Sequence, residues 1–165
     1  MRTSILGCRG FVAAVAALIL AVSAVGPAVA AQPTGVHIVS HMNFNPDGPN
    51  FGDFEASGDA VDEGLICESG TVLDVGLIFA GAQSGRKAQI PVRKVFTCDD
   101  GSGTINVKIQ VHLDFETSTE TFSWVVQGGT GDYASLRGSG GGSTVSDGSD
   151  PQTGNFNTYD GFLIG

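Results

Sequence analysis

A strictly alternating run of apolar and polar residues between positions 105 and 116 limits the folds open to this chain more than any other feature. Because successive side chains of a β-strand point to opposite sides, this period of two predicts a strand with one buried and one solvated face. The apolar positions are Ile105, Val107, Ile109, Val111, Leu113 and Phe115. The intervening positions are Asn106, Lys108, Gln110, His112, Asp114 and Glu116. We expect this strand to form the centre of a sheet.

The same alternation resumes after the polar segment 117–120, with Phe122, Trp124 and Val126 on one face. The two runs therefore predict a long β-hairpin. Shorter apolar runs predict further strands at residues 54–56, 65–75, 76–80, 88–98, 133–138 and 155–164. Pro91 lies inside one of these runs and places that strand at a sheet edge or a bulge, because proline donates no backbone hydrogen bond.

Segments rich in glycine, serine and aspartate separate the predicted strands. Residues 140–143 and 147–151 have the composition of turns. Beyond residue 31, no run of ten residues combines helical apolar spacing with freedom from Gly and Pro. The chain is therefore predicted to be all-β, a single antiparallel meander closed into an eight-stranded barrel, with a two-sheet sandwich as the alternative.

The first thirty residues have the layout of a signal peptide. Arg2 and Arg9 flank a short polar start, an uncharged run rich in Ala and Val follows, and a small-x-small pattern ends at Ala30. We expect cleavage after Ala30, with Ala31 as the second choice, and secretion of the mature chain. A retained membrane anchor is the competing interpretation, but the Gly-Pro break ahead of the cleavage pattern favours processing.

Charge and cysteine content restrict the partners of the mature chain. Removal of residues 1–30 takes away two arginines and no acidic residue, so six basic side chains remain against seventeen acidic ones and the formal charge falls from −9 to −11. Such a chain is a poor ligand for nucleic acid. Two cysteines remain, Cys67 and Cys98, and in an exported protein an isolated pair predicts a disulfide in preference to a metal site or a nucleophile.

A glycine-rich segment from residue 128 to 140 is the most distinctive motif. It contains a formal match to the G-x-G-x-x-A dinucleotide fingerprint, but that fingerprint requires a helix at its end, and here the chain continues into further glycines. The segment instead predicts a tight turn between strands, with two of its side chains packed into the barrel. The motif positions are Gly129, Gly131, Tyr133, Leu136, Gly138 and Gly140, of which Tyr133 and Leu136 are the packed ones.

This motif resembles the turn motif of the allene oxide cyclase and dirigent-like barrel group, which includes small secreted bacterial proteins. Weaker similarity in segments 52–58, 67–72 and 96–104 extends the resemblance over residues 50–165 and leaves 31–49 as an N-terminal segment. The resemblance implies an eight-stranded antiparallel barrel with a lumen pocket. Plant members cyclise an epoxide fatty acid or steer the coupling of phenoxy radicals, but none of their catalytic residues matches a position here, so their activities are not carried over.

Five side chains are candidates for acid–base chemistry in such a lumen: Asp53, Glu55, His112, Asp114 and Glu116. The last three alternate with the apolar stripe and are therefore predicted to face outward into solvent. No catalytic residue is assigned from the sequence.

Metal sites have little support in the sequence. His37 and His41 could ligate a metal, but no third ligand lies in register with them. The aspartates at 99–100 and 147–150 do not follow a calcium-loop pattern and are predicted to form turns. We predict neither a metal nor another cofactor.

Four of the six remaining basic residues flank Pro91, namely Arg86, Lys87, Arg93 and Lys94. A charged sheet edge that resists pairing with other chains is the first interpretation, and a patch for an anionic surface polymer is the alternative.

The sequence as a whole favours a secreted, non-catalytic binding or surface-interaction module. Its partner would be an apolar small molecule or an anionic surface polymer. The alternative is an isomerase- or cyclase-like enzyme acting on an apolar ligand in the barrel lumen. No membrane span is expected after processing, and the sequence does not fix the oligomeric state.

Overall fold

The described part of the chain folds as an eight-stranded antiparallel barrel with one short helix. The computed structural model describes residues 31–77, 86–148 and 153–165. The strands are β1 Thr34–Asn43, β2 Phe51–Ser57, β3 Ser69–Leu77, β4 Lys87–Cys98, β5 Gly103–Asp114, β6 Thr119–Gly131, β7 Arg137–Ser146 and β8 Gly154–Ile164, and the helix is α1 Asp59–Asp62. Each strand pairs with the next, and β8 pairs with β1, which closes the barrel. The predicted all-β barrel is confirmed and the sandwich alternative is wrong.

The predicted hairpin is formed by β5 and β6, whose register places Ile109 opposite Trp124. Along β5 the side chains of Ile105, Val107 and Ile109 are buried, as the alternation predicts. Val111 and Leu113 are half-buried, because they lie toward one end of the barrel. Phe115 is 58% exposed, which corrects the predicted stripe, since β5 ends one residue before it.

The barrel begins earlier than the predicted boundary at residue 50. β1 pairs with β2 on one side and with β8 on the other, so residues 34–43 are part of the closed sheet. The segment 31–49, predicted to lie outside the barrel domain, therefore supplies its first strand. The predicted signal peptide and the cleavage pattern ending at Ala30 lie outside the described residues.

One end of the barrel is closed by the links that follow β2, β4 and β6. Tyr133 and Leu136 of the glycine motif are buried there, as predicted. The Tyr133 hydroxyl lies 2.7 Å from Ser102 Oγ in the neighbouring link. Cys67 and Cys98 form the predicted disulfide, with a Cα–Cα distance of 5.9 Å, and join the β2–β3 link to the end of β4. We call this end of the barrel the closed end.

Strand β7 differs from the prediction. The predicted strand at 133–138 is mostly a turn, and the glycines predicted as a turn at 140–143 lie inside β7. The inward positions of β7 pair with bulky residues of β6, Gly140 with Trp124 and Gly142 with Phe122. A Cβ on Gly140 would lie 2.7 Å from the Trp124 ring, so the glycines make room for these aromatic side chains.

Two further strand predictions need correction. The segments predicted as separate strands at 65–75 and 76–80 contain one strand, β3, which starts at Ser69 and has a register shift between Asp74 and Gly76; residues 78–80 lie outside the described ranges. Pro91 pairs with Gln110 without a break in register, and β4 has a neighbour on each side, so β4 is not an edge strand and Pro91 marks no bulge in the described pairing with β5. The described pairing with β3 stops at Val92, one residue short of Pro91.

Within the described residues no helix is long and apolar enough to cross a membrane.

Candidate functional site

The barrel interior is divided by an aromatic cluster centred on Tyr159. The Tyr159 ring packs edge-on against Phe96 and Trp124, with ring centroids 5.7 and 6.5 Å away, and at a tilt against Phe122 at 4.8 Å. Toward the closed end, the space beside this cluster is filled by side chains and leaves a void of only about 10 Å³, roughly the volume that one water needs. The ring of Tyr159 thus separates a packed half of the barrel from a hollow half.

The hollow half holds a cavity of about 290 Å³. It lies where β1, β3, β5 and β7 end and where β2, β4, β6 and β8 begin, so we call this the cavity end. Most of the wall is apolar. Its apolar residues are Met42, Phe44, Ile90, Val92, Ile109, Val111, Leu113 and Phe122, together with the Tyr159 ring. Val111 and Leu113 are half-buried because they face this space.

An ion pair lies in the cavity wall. Lys94 and Asp74 are opposite each other in the β3–β4 register, and Lys94 Nζ donates to Asp74 Oδ1 at 2.6 Å. Both side chains are 9% exposed. Asn50 Nδ2 donates to the other Asp74 oxygen at 3.1 Å. The carboxylate is therefore held by two donors in a largely desolvated position.

The position of Lys94 corrects the sequence interpretation, which assigned it to a charged sheet edge. The residues of β4 that point inward are Val92, Lys94, Phe96 and Cys98, so the alternation of the strand itself places Lys94 in the lumen. Asp74 occupies the corresponding inward position of β3, two residues after Val72. The inward direction of Lys94 could have been found from the alternation in β4, but its pairing with Asp74 depends on the strand register, which the sequence alone does not show.

A row of polar side chains from β1, β7 and β8 forms the facing wall. Asn157 Nδ2 donates to Asn155 Oδ1 at 3.0 Å and to Ser40 Oγ at 3.4 Å. Thr144 Oγ1 donates to Asn157 Oδ1 at 2.9 Å. These contacts satisfy Asn157 from both ends of its amide and fix its orientation.

The Tyr159 hydroxyl is the unsatisfied polar group of the site. Tyr159 is 1% exposed, and among the described residues its Oη has no hydrogen-bond partner of acceptable geometry. Burial raises the pKa of this phenol, the Ser40 hydroxyl opposes the rise and the charge of Asp74 adds to it. The phenol thus remains protonated at neutral pH and has a hydrogen to donate. Buried polar groups without partners are rare in proteins, so this one requires an explanation.

The five predicted acid–base candidates are not in the cavity wall. His112 and Glu116 are exposed, as are Asp53 and Glu55 on β2. Asp114 accepts from the backbone N–H of Glu116, which together with Lys87 lowers the pKa of the Asp114 carboxyl. Its role is to hold the β5–β6 turn and contact a lysine, and the predicted outward direction of His112, Asp114 and Glu116 agrees with the structure.

The two predicted histidine candidates for a metal lie on the outside of β1 and are separated. His37 Nδ1 lies 2.7 Å from Asp160 Oδ1, and His41 Nε2 lies 3.5 Å from Asp147 Oδ2. Nowhere in residues 31–77, 86–148 and 153–165 do three His, Cys, Asp or Glu side chains come together as a metal site. Asp100 forms the predicted loop contacts, accepting from Ser102 N at 2.8 Å.

The other basic residues near Pro91 also contact acids or solvent. Arg86 pairs with Glu116, and Lys87 Nζ lies 3.2 Å from Asp114 Oδ2. Arg93 points outward from β4. The four basic residues thus do not form one surface, which weakens the argument for an anionic polymer as partner.

Comparisons of the chain with protein-family models, with curated proteins and with solved structures gave no match. The resemblance to the allene oxide cyclase and dirigent-like group therefore stays a prediction from its motifs.

Proposed function

We propose that this protein binds a small, largely apolar molecule inside the barrel. The observation that carries the proposal is the cavity of about 290 Å³, with apolar walls and a small number of buried polar groups. That combination is typical of ligand sites, whose volumes run from roughly 300 to 1,000 Å³. The volume lies at the lower limit of that range, so the ligand is small.

The role that fits this cavity best is binding without catalysis. Asp74 already accepts from Lys94 and Asn50, and Asn157 is held by its own neighbours, so these groups shape and orient more than they react. Rigid polar groups in an apolar cavity give a ligand one orientation. The protein then acts as a carrier or sensor of its ligand.

The test is binding of N-phenyl-1-naphthylamine, an uncharged dye that fluoresces in apolar surroundings. Purified protein should increase the dye fluorescence in a saturable way. Val111→Trp places an indole in the cavity, and we expect it to weaken dye binding at least about tenfold, because the space is filled. The matched control is Val125→Trp on the outer face of β6, where the side chain is 48% exposed.

The result contradicts the proposal if Val111→Trp binds the dye as tightly as the wild type, because the dye would then sit outside the cavity. Both variants must unfold cooperatively in denaturant for the comparison to hold. If Val111→Trp fails to fold, Leu113→Trp replaces it, since Leu113 faces the same cavity from a half-buried position.

An isomerase- or cyclase-like activity on an apolar ligand is the second candidate function. The observation that favours it is the presence of Asp74, Lys94 and Tyr159 in one cavity wall, since all three side chains can exchange protons. Ligand extracted from the purified protein and compared by mass and chromatography before and after prolonged incubation separates the two functions. Unchanged ligand supports binding, and a product of equal mass but different retention supports isomerisation.

We also propose that the protein is exported after removal of residues 1–30. The Cys67–Cys98 disulfide supports this, because such bonds persist in oxidising compartments. Intact-mass measurement of protein recovered from the culture medium tests the cleavage after Ala30. A recovered chain that retains Arg2 and Arg9 would contradict it.

A further inference from the structure

We propose that the cavity selects ligands carrying an uncharged oxygen acceptor, a ketone or an alcohol, which accepts a hydrogen bond from Tyr159 Oη with Lys94 Nζ as the second donor. This inference rests on the proposed function and names the chemical class of its ligand. Both residues line the same cavity, Tyr159 from β8 and Lys94 from β4.

The first argument is the unused donor capacity of the wall. A lysine ammonium has three hydrogens, and the hydrogen bond of Lys94 in the described structure goes to Asp74. The Tyr159 hydroxyl makes no hydrogen bond of normal geometry among the described residues, although the Ser40 hydroxyl is near enough to act on its pKa. A buried donor left unpaired destabilises the folded state, and a ligand oxygen that accepts from it removes that penalty.

The second argument places the two donors near each other. Asp74 contacts Lys94 at 2.6 Å, and the charge of the same carboxylate acts on the Tyr159 phenol. Lys94, Asp74 and Tyr159 all line the same cavity of about 290 Å³. A carbonyl or hydroxyl oxygen has two lone pairs and can accept from both.

The third argument concerns charge. Asp74 neutralises Lys94, so the buried ion pair has no net positive charge that could attract an anionic ligand. Glu120, at the cavity end of β6, adds a further carboxylate to the wall. A ligand carboxylate would enter a desolvated site whose net charge is already negative because of Glu120, which is unfavourable. The site therefore discriminates against acids and in favour of neutral oxygen.

The experiment compares three naphthalenes of matched shape as competitors of N-phenyl-1-naphthylamine. 2-Acetylnaphthalene carries the neutral ketone, 2-naphthoate carries the carboxylate, and 2-isopropenylnaphthalene carries neither. We expect the ketone to bind at least about tenfold tighter than the other two, which corresponds to one good hydrogen bond in a desolvated site.

Two variants test which residues cause the preference. Tyr159→Phe removes one oxygen and leaves the ring in place, so we expect it to weaken ketone binding about tenfold and to leave hydrocarbon binding unchanged. Asp74→Asn keeps the side-chain shape and frees the charge of Lys94, so we expect it to strengthen 2-naphthoate binding about tenfold or more. The carbonyl stretching band of bound 2-acetylnaphthalene should also lie lower in the wild type than in Tyr159→Phe.

The outcomes separate this inference from the proposed function. Equal binding of the ketone and the hydrocarbon overturns the acceptor preference but leaves cavity binding intact. Tightest binding of 2-naphthoate to the wild type likewise overturns it. Failure of the dye and of all three competitors to bind overturns both proposals together.

Discussion

At the scale of single residues, Tyr159 combines a structural part with a polar part that the fold leaves unsatisfied. Its ring packs against three aromatic side chains and forms the floor of the cavity. Its hydroxyl is buried without a partner in the described structure. The ring therefore stabilises the barrel, whereas the hydroxyl lowers the free energy of unfolding until something accepts from it.

We predict that Tyr159→Phe raises the free energy of unfolding by about 1 kcal/mol, because an unpaired buried hydroxyl is removed and the ring remains. The matched control is Tyr133→Phe, which removes a hydroxyl that lies 2.7 Å from Ser102 Oγ and should therefore lower the free energy of unfolding by about the same amount. Urea unfolding of the two variants measures both changes. A loss of stability in Tyr159→Phe would mean that its hydroxyl has a partner in the free protein.

The acid dependence of stability can be predicted from Asp100. The hydroxyl and the backbone N–H of Ser102 lower the pKa of this carboxyl below its ordinary value of 3.8. The folded state then binds the proton less readily than the unfolded chain, so this stabilisation is present above about pH 4 and is lost as pH falls through the folded-state pKa.

Asp100→Asn keeps an acceptor for Ser102 and cannot titrate. We expect the variant to lose less stability than the wild type between about pH 6 and about pH 3, as measured by urea unfolding at both values. Identical losses would show that the Ser102 contacts do not favour the charged form.

The residues of the candidate site illustrate what the sequence could not predict. Alternation alone places Ile109 inside and His112 outside, because each strand has two faces and only one is apolar. Lys94 and Asp74 break that rule, since each charged side chain lies on an inward face and is tolerated there only because the strand register brings them together. The alternation of apolar and polar residues predicts only which face of a strand is mostly buried. Whether a charged residue on that face has a partner depends on the residue opposite it on the next strand.

At the scale of strands, β5 is the strand that the sequence pattern predicted well, and β7 is the strand that it predicted wrongly. β5 follows the period of two over most of its length, and the position of the strand was predicted within two residues at each end. β7 contains few apolar side chains, so its glycines suggested a turn. The space on its inward face is instead filled by aromatic rings of β6. The apolar side chains that mark a buried strand therefore lie on β6 and not on β7.

We predict that Gly142→Ala lowers the free energy of unfolding by about 1–3 kcal/mol, because the added methyl group meets the Phe122 ring and the neighbouring backbone. Gly141→Ala is the control on the next residue of the same strand. A Cβ there would meet only Phe122 O at 3.7 Å, an ordinary contact, so the change should be within about 0.5 kcal/mol. Equal effects in the two variants would contradict the packing role of the inward glycines.

A second comparison tests the two faces of β5. Ile109→Ala removes a side chain that is 1% exposed and should lower the free energy of unfolding by about 2–5 kcal/mol. His112→Ala removes an exposed side chain and should change it by about 0.5 kcal/mol or less. Denaturant unfolding measures both. A large effect of His112→Ala would contradict the outward assignment and return this histidine to the list of site candidates.

At the scale of the whole molecule, the features that stabilise the barrel lie at one end of its axis and the cavity lies at the other. The closed end contains the disulfide, the glycine motif and the filled half of the lumen. The cavity end contains the ion pair and the polar row. The sequence predicted the closed end well, because cysteines and turn motifs are local signals, and it did not predict the cavity, which is formed by side chains from all eight strands or their ends.

The disulfide is predicted to stabilise the molecule through the closed end. Cys67 and Cys98 are 31 residues apart, and closing such a loop contributes about 3–4 kcal/mol on the chain-entropy model. Reduction, or replacement of both cysteines by serine, should therefore lower the melting temperature by several degrees in calorimetry. An unchanged melting temperature after complete reduction would contradict this.

The pairing of β1 with β8 has a consequence for how the molecule forms. These strands come from opposite ends of the described chain, so their loop-closure entropy is the largest of any neighbouring pair. Before β8 arrives, β1 and β7 each present a row of unpaired backbone groups, to which another copy of the chain can add. Arrival of the last strand therefore ends the period in which newly made chains are most prone to aggregate.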